Sequence, residues 1–311
     1  MDSNWMLADV HMRGYLLPDT EASVYWHKDG AFVIFPISPG RYRLLADLPA
    51  AGEVHPPVPT LTDVQAMIER RGPRGMIAFD PIWLAGFRIN GRKVSSYRWG
   101  RAFLCGDAAH VHSPAGGQGM NTGMQEAFNL GWKLAAVASG RGGEKLLDSY
   151  NLERSEVGEH VLANAQRLTA VGTLKNPIGQ TIRNTVGHLV LGLAPVRQAF
   201  ADKMTEVTVG YSNSPLNGPA LNDGPPPGAR RVPVAEETPI GSGTAPRFAL
   251  CAAPSSATAG LIKRFPDVLD PELRTPIRED SLWLLRPDGY VACGTAAGNE
   301  RVIEHYLAER L

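Results

Sequence analysis

One string near the middle of this 311-residue chain restricts its fold more than any other feature. Ala102-Phe103-Leu104-Cys105 reads as a short buried strand. Gly106-Asp107-Ala108-Ala109-His110 follows, then Pro114 and Gly116-Gly117-Gln118-Gly119-Met120-Asn121. Beyond Gly119 the pattern turns helical, with Met124, Phe128, Gly131, Leu134, Ala135 and Ala138 recurring at spacings of three and four. A strand, a glycine-rich loop and a helix are therefore expected in that order. Gly106 lets the backbone turn sharply and approach another group closely. Asp107 presents a carboxylate, a strong acceptor for a sugar-like hydroxyl. Pro114 stiffens the path. Gly116, Gly117 and Gly119 leave backbone N–H groups unshielded just ahead of a helix N-terminus. The partial positive charge there favours an anionic phosphate, or a planar ring that gains negative charge on reduction. Asn121 offers hydrogen bonds at the start of the helix.

The first hundred residues read as an antiparallel meander. Apolar runs at 5–10, 24–27, 31–35 and 41–45 are separated by turn signals, among them Lys28-Asp29-Gly30 and Pro39-Gly40. Thr62 or Asp63 is expected to cap a helix that runs through Arg70 and stops at Gly72-Pro73. Strands are expected at 83–89 and 96–97, with a turn at Asn90-Gly91. A second helix is read from Leu146, Tyr150, Val157, Val161, Ala165 and Leu168, and a third from Pro195 with Val196, Phe200, Met204 and Val207 inside. Residues 212–231, rich in Pro and Gly, cannot sustain a helix or a central strand and read as a linker. The last eighty residues read as a small α/β unit, with a strand at 248–251, a hairpin through Arg286-Pro287-Asp288-Gly289 and a closing helix on Val302, Ile303, Tyr306 and Leu307.

Charge and cysteines bound the function. Lys plus Arg and Asp plus Glu number 31 each, so no basic field exists to attract nucleic acid or anionic lipid. The first twenty residues include Asp2, Asp9, Arg13 and Asp19 and hold no signal-peptide core. Cys105, Cys251 and Cys293 are too scattered for a disulfide framework or a metal cluster. A reducing, cytoplasmic location with no metal, no nucleic acid and no membrane is the expectation.

The string from Gly106 to Asn121, continued by Asn129-Leu130-Gly131-Trp132-Lys133-Leu134, resembles the class A flavin monooxygenases, the FAD-dependent aromatic hydroxylases of the para-hydroxybenzoate hydroxylase and phenol hydroxylase type. The resemblance extends to Leu7-Ala8-Asp9-Val10, to Leu147-Asp148-Ser149-Tyr150 with Glu153-Arg154, to Tyr211 through Ser214-Pro215-Leu216, and to Arg286-Pro287-Asp288-Gly289-Tyr290-Val291. It implies FAD, with the Gly106-Asp107 motif on its ribityl chain through Asp107, and Pro114, Gly116, Gly117, Gln118, Gly119, Met120 and Asn121 beside the isoalloxazine ring. It implies NAD(P)H and O₂ as co-substrates, an aromatic small molecule as substrate, and hydroxylation through a flavin C4a-hydroperoxide. The implied fold is α/β (α+β): a substrate-binding antiparallel sheet over residues 1–100, the C-terminal part of a Rossmann-like FAD domain over 101–211, a linker over 212–231, and a thioredoxin-like domain over 232–311. That last domain has no Cys-x-x-Cys, so a structural role or contacts in a homodimer are expected of it.

Two motifs of the resembled family do not occur: the Gly-x-Gly-x-x-Gly that holds the ADP half of FAD, and an Asp-Gly motif serving FAD and the nicotinamide. The expectation is an N-terminally truncated enzyme with weak FAD affinity of its own. The alternative is a non-catalytic remnant or interaction protein that keeps the substrate sheet. Tyr25, Trp26, Phe35, Trp83 and Phe87 are the candidates to line an aromatic pocket. His110 is expected to be structural, His112 to lie on a loop surface, and Cys105 to be a buried strand residue. No catalytic base is assigned.

Overall fold

A computed structural model describes residues 3–48, 55–113, 117–172, 174, 176–191, 193, 195–196 and 206–311. Its principal elements are β1 (Ser3–Arg13), β2 (Ser23–His27), β3 (Gly30–Ser38), β4 (Arg41–Leu48), α1 (Leu61–Arg71), β5 (Ile77–Ile89), α2 (Gly119–Ala138), α3 (Lys145–Gly172), α4 (Pro177–Leu191), β6 (Ala249–Cys251), α5 (Ser256–Arg264), β7 (Ser281–Leu285), β8 (Val291–Ala296) and α6 (Arg301–Arg310). They form two compact units, interleaved along the sequence. One holds residues 1–92, 111–116 and 162–199; the other holds 93–110, 117–161 and 200–311.

The first unit is built on a five-stranded antiparallel sheet in the order β2-β3-β4-β1-β5. Alternation along β1 sends Met6, Ala8, Val10 and Met12 to one face, where they pack with Phe32, Ile34, Leu44, Val64 and Ile68. The last two belong to α1, which covers that face. The cap of α1 is Thr60, not Thr62 or Asp63. Asp63 serves instead as the reciprocal partner, its side chain accepting from the Thr60 N–H at 2.8 Å while Thr60 Oγ1 accepts from the Asp63 N–H at 3.3 Å. Buried Arg71 at the other end of α1 donates to Asp47 Oδ1 at 2.8 Å and to the carbonyls of Ala31 and Asp29 at 2.9 and 2.7 Å, fixing the helix to the 27–30 hairpin. β5 begins six residues before the expected Trp83. It absorbs Pro81 because it is an edge strand, and the register with β1 shifts beside that proline.

Two expectations change between 93 and 207. The strand expected at Ser96-Tyr97 forms two residues later, as Arg98–Trp99 paired with Ala102–Phe103. The Tyr97 N–H is taken by the Asn151 side chain at 2.7 Å, and Leu104-Cys105 lie beyond the pairing. α4 was not foreseen. Asn176 caps it, its side chain accepting from the N–H groups of Ile178 and Gly179 at 2.9 and 3.2 Å, with Pro177 in the first helical position. Of the helix expected from Pro195, Phe200 and Met204 lie outside the described residues, and Val207 stands in a turn.

In the second unit, β6, β7 and β8 form an antiparallel sheet. Residues 268–274 run beside β6 through parallel bridges, Phe248 with Leu269 and Cys251 with Arg274. Leu250, Leu284, Ala292, Ile303, Tyr306 and Leu307 share a core with Trp132 of α2 and Leu146 of α3, and Trp132 meets Phe248 edge-on at 5.7 Å. The Pro/Gly-rich residues 212–231 lie along β8. The N–H groups of Gly218 and Gly228 donate to Ala292 and Val291, and the Val291 N–H donates to Ala229. Gly228 is required there, since it has φ +84° and a Cβ would come within 2.2 Å of the Tyr211 carbonyl oxygen. All three cysteines are free, and no helix among the described residues is long and apolar enough to cross a membrane.

Candidate active site

The glycine string folds as a turn set against a helix. Gly106 adopts φ +60° and opens the single 3₁₀ turn Gly106–Ala108. Its Cα faces Gly123 of α2, and a Cβ on Gly123 would come within 3.3 Å of it. The two glycines bring loop and helix together. Glu126, one turn further along α2 and fully buried, completes the joint. Its Oε2 accepts the Gly106 N–H at 2.7 Å, and its Oε1 lies 2.9 Å from His110 Nε2. The Tyr97 ring stacks on His110 at 6.2 Å. His110 is thus a buried structural partner of the turn. His112, half-buried, places Nδ1 2.8 Å from the Ser113 carbonyl. Cys105 sits beside the turn with its thiol aimed at the Gly123 carbonyl, 3.6 Å away. Burial pushes that thiol up, which suits a packing residue and not a nucleophile.

The turn leaves Asp107 exposed, with no hydrogen-bond partner among the described residues. Gly117 is exposed at φ +64°. α2 begins at Gly119 behind buried Gln118, and among the described residues no side chain caps its first turn. Met120 projects into solvent, and Asn121 lines a cleft of about 610 Å³ with Met124, Gln125 and Phe128. The structure therefore brings Gly106, Asp107, Gly117, Gln118, Gly119, Met120 and Asn121 to one joint. Pro114 and Gly116 lie outside the described residues.

The inward face of α2 is not the one its apolar spacing marked. Met124 and Phe128 are exposed, whereas Thr122, Glu126, Asn129 and Lys133 are buried. A polar network takes the place of an apolar seam. Glu153 of α3 accepts from Lys133 Nζ at 2.7 Å, from Asn129 Nδ2 at 2.7 Å and from Arg286 Nη1 and Nη2 at 2.6 and 3.0 Å. Arg286 also donates to Asp288 at 2.9 and 2.6 Å. Its guanidinium lies over the rings of Tyr211, Trp132 and Tyr290 at 5.3, 5.5 and 5.5 Å. Arg154 donates to the Tyr211 hydroxyl at 3.0 Å and to the Thr122 carbonyl at 3.1 Å. The Thr122 hydroxyl in turn donates to buried Glu206 at 2.6 Å, whose carboxyl burial pushes up. Four of the separated strings that resembled the flavin hydroxylases, around Trp132, Glu153, Tyr211 and Asp288, meet here.

Burial alone would neutralise the ends of this network. At Lys133 it prevails, drawing the ammonium down to about 8 against the pull of Glu153. At Glu153 the desolvation is outweighed by Arg286 and Lys133, and the carboxyl is held well below the usual range. Both are charged at pH 7. Because folding depresses the Glu153 pKa, an unfolded chain takes up that proton first as pH falls. The stabilisation is complete above about pH 4.5, the ordinary glutamate value, and is lost below it. Urea denaturation of wild type and Glu153→Gln between pH 7 and pH 3 should show the stability gap between them closing only below about pH 4.5.

In the first unit, the sheet face opposite α1 carries Trp5, Leu7, Asp9 and His11 from β1. Four of the five aromatic candidates lie on this face: Trp26, Phe35 and Trp83 are exposed, and Phe87 packs beside Trp5 and Leu45. Tyr25 points the other way and packs on Phe32 in the core, at 6.1 Å. Arg183 of α4 lies over Trp26 at 4.9 Å. Asp9, buried in the middle of the face, is held below the usual carboxylate range by Arg43.

The joint at Gly106 fits a flavin by its chemistry. Among the described residues it combines an unpartnered acceptor at Asp107, an uncapped helix start, and glycines where side chains would obstruct a close approach. These are features of a dinucleotide-type cofactor site. A family model described as FAD binding domain matches residues 3–165, just over half of the chain, and the chain belongs to that family. It is 35% identical over 217 residues to 6-methylpretetramide 4-monooxygenase of Streptomyces rimosus, covering 68% of this chain and 39% of that enzyme. It is 52% identical over 83 residues to pentachlorophenol 4-monooxygenase of Sphingobium chlorophenolicum, 27% of this chain and 15% of that one. Among solved structures, the anhydrotetracycline hydroxylase OxyS of Streptomyces rimosus superposes with a TM-score of 0.72 at 26% identity, over 99% of this chain and 63% of that one. The chain spans about two fifths of the length of the pretetramide enzyme.

Sequence reasoning missed Glu126, Thr122 and Glu206, and gave Arg154 only as part of a resembling string. For Glu126 a signal was present: a carboxylate three residues from Asn129 and seven from Lys133 puts three polar side chains on one helix face. For Glu206 there was none.

Proposed function

We propose that this chain supplies the flavin-contacting turn and the substrate sheet of an FAD-dependent monooxygenase that hydroxylates an aromatic substrate with NAD(P)H and O₂. The observation that carries the reading is the Gly106–Asp107 turn, bonded to Glu126 and set against the uncapped start of α2. Asp107 would accept from the ribityl hydroxyls of FAD. Gly106 would let the turn approach the ribityl chain closely, and Gly117, Gln118, Gly119, Met120 and Asn121, with Pro114 and Gly116, would lie along the isoalloxazine edge, where the N–H groups of the non-proline residues would stabilise negative charge. The chemistry a bound FAD would supply is two-electron reduction of O₂ by NAD(P)H, with one oxygen atom going to the ring and the other leaving as water. The aromatic face of the five-stranded sheet is the candidate surface for the aromatic substrate in this reading. Residues 232–311 form a thioredoxin-like domain in this reading, supported by the β6–α5 order, the parallel bridges to 268–274 and the antiparallel β7–β8 hairpin. A structural role or homodimer contacts are left to it. Three free cysteines support a cytoplasmic location.

The test is an FAD titration of the full chain, followed by flavin fluorescence. Asp107→Ala should weaken binding about tenfold or more, a loss of about 1.4 kcal/mol or more. Because the residue is exposed, unfolding stability should stay within about 0.5 kcal/mol of wild type. Equal FAD affinity in the two proteins would remove Asp107 from the site. No binding at all by the wild-type chain would overturn the reading for this chain alone.

A further inference from the structure

We propose that Glu206 is a positioning residue for the start of α2: as a neutral acid it donates its proton to Thr122, which turns the Thr122 hydroxyl onto the Gln118 carbonyl. The inference rests on the flavin reading of that turn and adds to it a protonation state and the residue that carries it. Counting protons leads there. Thr122 Oγ1 lies 2.6 Å from Glu206 Oε1 and 2.9 Å from the Gln118 carbonyl oxygen. A hydroxyl has one proton to give, and a carbonyl has none. With Glu206 ionised, the Thr122 proton goes to the carboxylate, and Gln118 keeps only the Thr122 N–H, at 2.9 Å. With Glu206 protonated, both short contacts are bonds at once: the acid donates to Thr122, and Thr122 donates to Gln118.

The surroundings of the carboxyl favour the second state. Glu206 is 1% exposed. Its Oε2 is buried with no hydrogen-bond partner, which a neutral carbonyl oxygen tolerates far better than half of a carboxylate does. Among the described residues no cation bonds to it. Arg154 of α3 spends its Nη donors on Gln125, the Tyr211 hydroxyl and the Thr122 carbonyl. Burial, joined by the negative charge of Glu126 on α2, pushes the carboxyl up against the pull of the Thr122 bond, Arg154 and His110. The backbone points the same way. Glu206 stands at φ +57°, a left-handed conformation that is costly for a residue with a Cβ and suits glycine. The position therefore uses the side chain at the expense of the backbone. Two donors on one carbonyl polarise the Gln118–Gly119 peptide and strengthen the Gly119 N–H as a donor. Gly119 is among the residues set along the isoalloxazine edge in the flavin reading. Ionised, Glu206 would instead place a second buried negative charge behind a helix start that receives an electron-rich ring.

FAD titrations of the full chain from about pH 5 to about pH 9, followed by flavin fluorescence, test this. The acid is neutral at the low end and ionises as pH rises, so wild-type affinity should fall about tenfold across the range. Glu206→Gln donates to Thr122 at every pH and should hold the low-pH affinity throughout. Glu206→Gly frees the backbone of its strain and removes the donor. It should bind FAD about tenfold more weakly than wild type at the low end, where a merely structural role predicts no loss. The flavin-free chain gives a second reading. The Gly119 amide resonance, followed by NMR, should titrate above the ordinary glutamate value of about 4.3 in wild type and stay flat in Glu206→Gln. A titration that survives in Glu206→Gln belongs to Glu126 or His110 and overturns the proposal, as does a flat wild-type resonance. A titrating amide in a chain that binds no FAD removes the flavin reading and keeps the role of Glu206 at the helix start. FAD bound with one affinity at every pH and in all three proteins removes that role and keeps the flavin reading.

Discussion

Arg286→Met is expected to destabilise the chain by about 3–5 kcal/mol, the cost of breaking a buried ion pair by removing one partner. Arg286 is fully buried and donates to both oxygens of Glu153 and both of Asp288. Without it, two buried carboxylates face a single ammonium on Lys133, whose own charge burial already disfavours. Methionine fills much of the volume, so the loss reports charge and not a cavity. Arg286→Lys should recover little. One ammonium cannot make the paired bonds to two carboxylates, nor lie flat over Tyr211, Trp132 and Tyr290. Urea denaturation followed by circular dichroism at pH 7 gives the value. A loss below about 1 kcal/mol, the worth of an exposed pair, would mean that water reaches the network. A large loss would make this cluster the joint that ties α2 and α3 to the β7–β8 hairpin.

That cluster also shows why some of this fold was readable in the residues and some was not. The five-stranded sheet was readable because one of its faces is buried, so alternation and turn residues carry the register. The 27–30 hairpin and the runs in β3 and β4 are where the pattern placed them. The apolar face of α3 holds for the same reason: Leu146, Tyr150, Val157, Val161 and Ala165 are all buried. α2 was readable as a helix but not in orientation. Periodicity assigns the apolar stripe to the core, and here Asn129 and Lys133 turn inward to reach Glu153 instead. Their partners are 20 to 159 residues away in sequence, beyond any local pattern. α4 escaped because Ile178 and Ile182 are exposed and mark no buried stripe, although Asn176-Pro177 is a recognisable start. For the candidate site, the glycines and Asp107 were readable because a turn and a close approach demand those residue types. The groups that hold the turn were not, since a buried carboxylate looks like any surface glutamate until its neighbours are known.

The glutamate that sequence reasoning overlooked sets the second large effect. Glu126→Ala should cost about 3 kcal/mol, because it removes a fully buried carboxylate together with its bonds to the Gly106 N–H and to buried His110 Nε2. It should also weaken FAD binding in the titration that tests Asp107, because the turn presenting that carboxylate is no longer held to α2. Glu126→Gln separates positioning from charge. Its amide oxygen accepts the Gly106 N–H, and its NH₂ donates to His110 Nε2 once the ring proton moves to Nδ1. If Glu126 acts by fixing the turn, the glutamine variant should fall within about 1 kcal/mol of wild type and keep most of its FAD affinity, while alanine loses both. If the negative charge itself matters, glutamine and alanine should fail alike. Asp107→Ala completes the comparison, losing flavin affinity at nearly full stability. Two carboxylates nineteen residues apart would then have opposite signatures: one acts on the cofactor and the other on the turn that presents it.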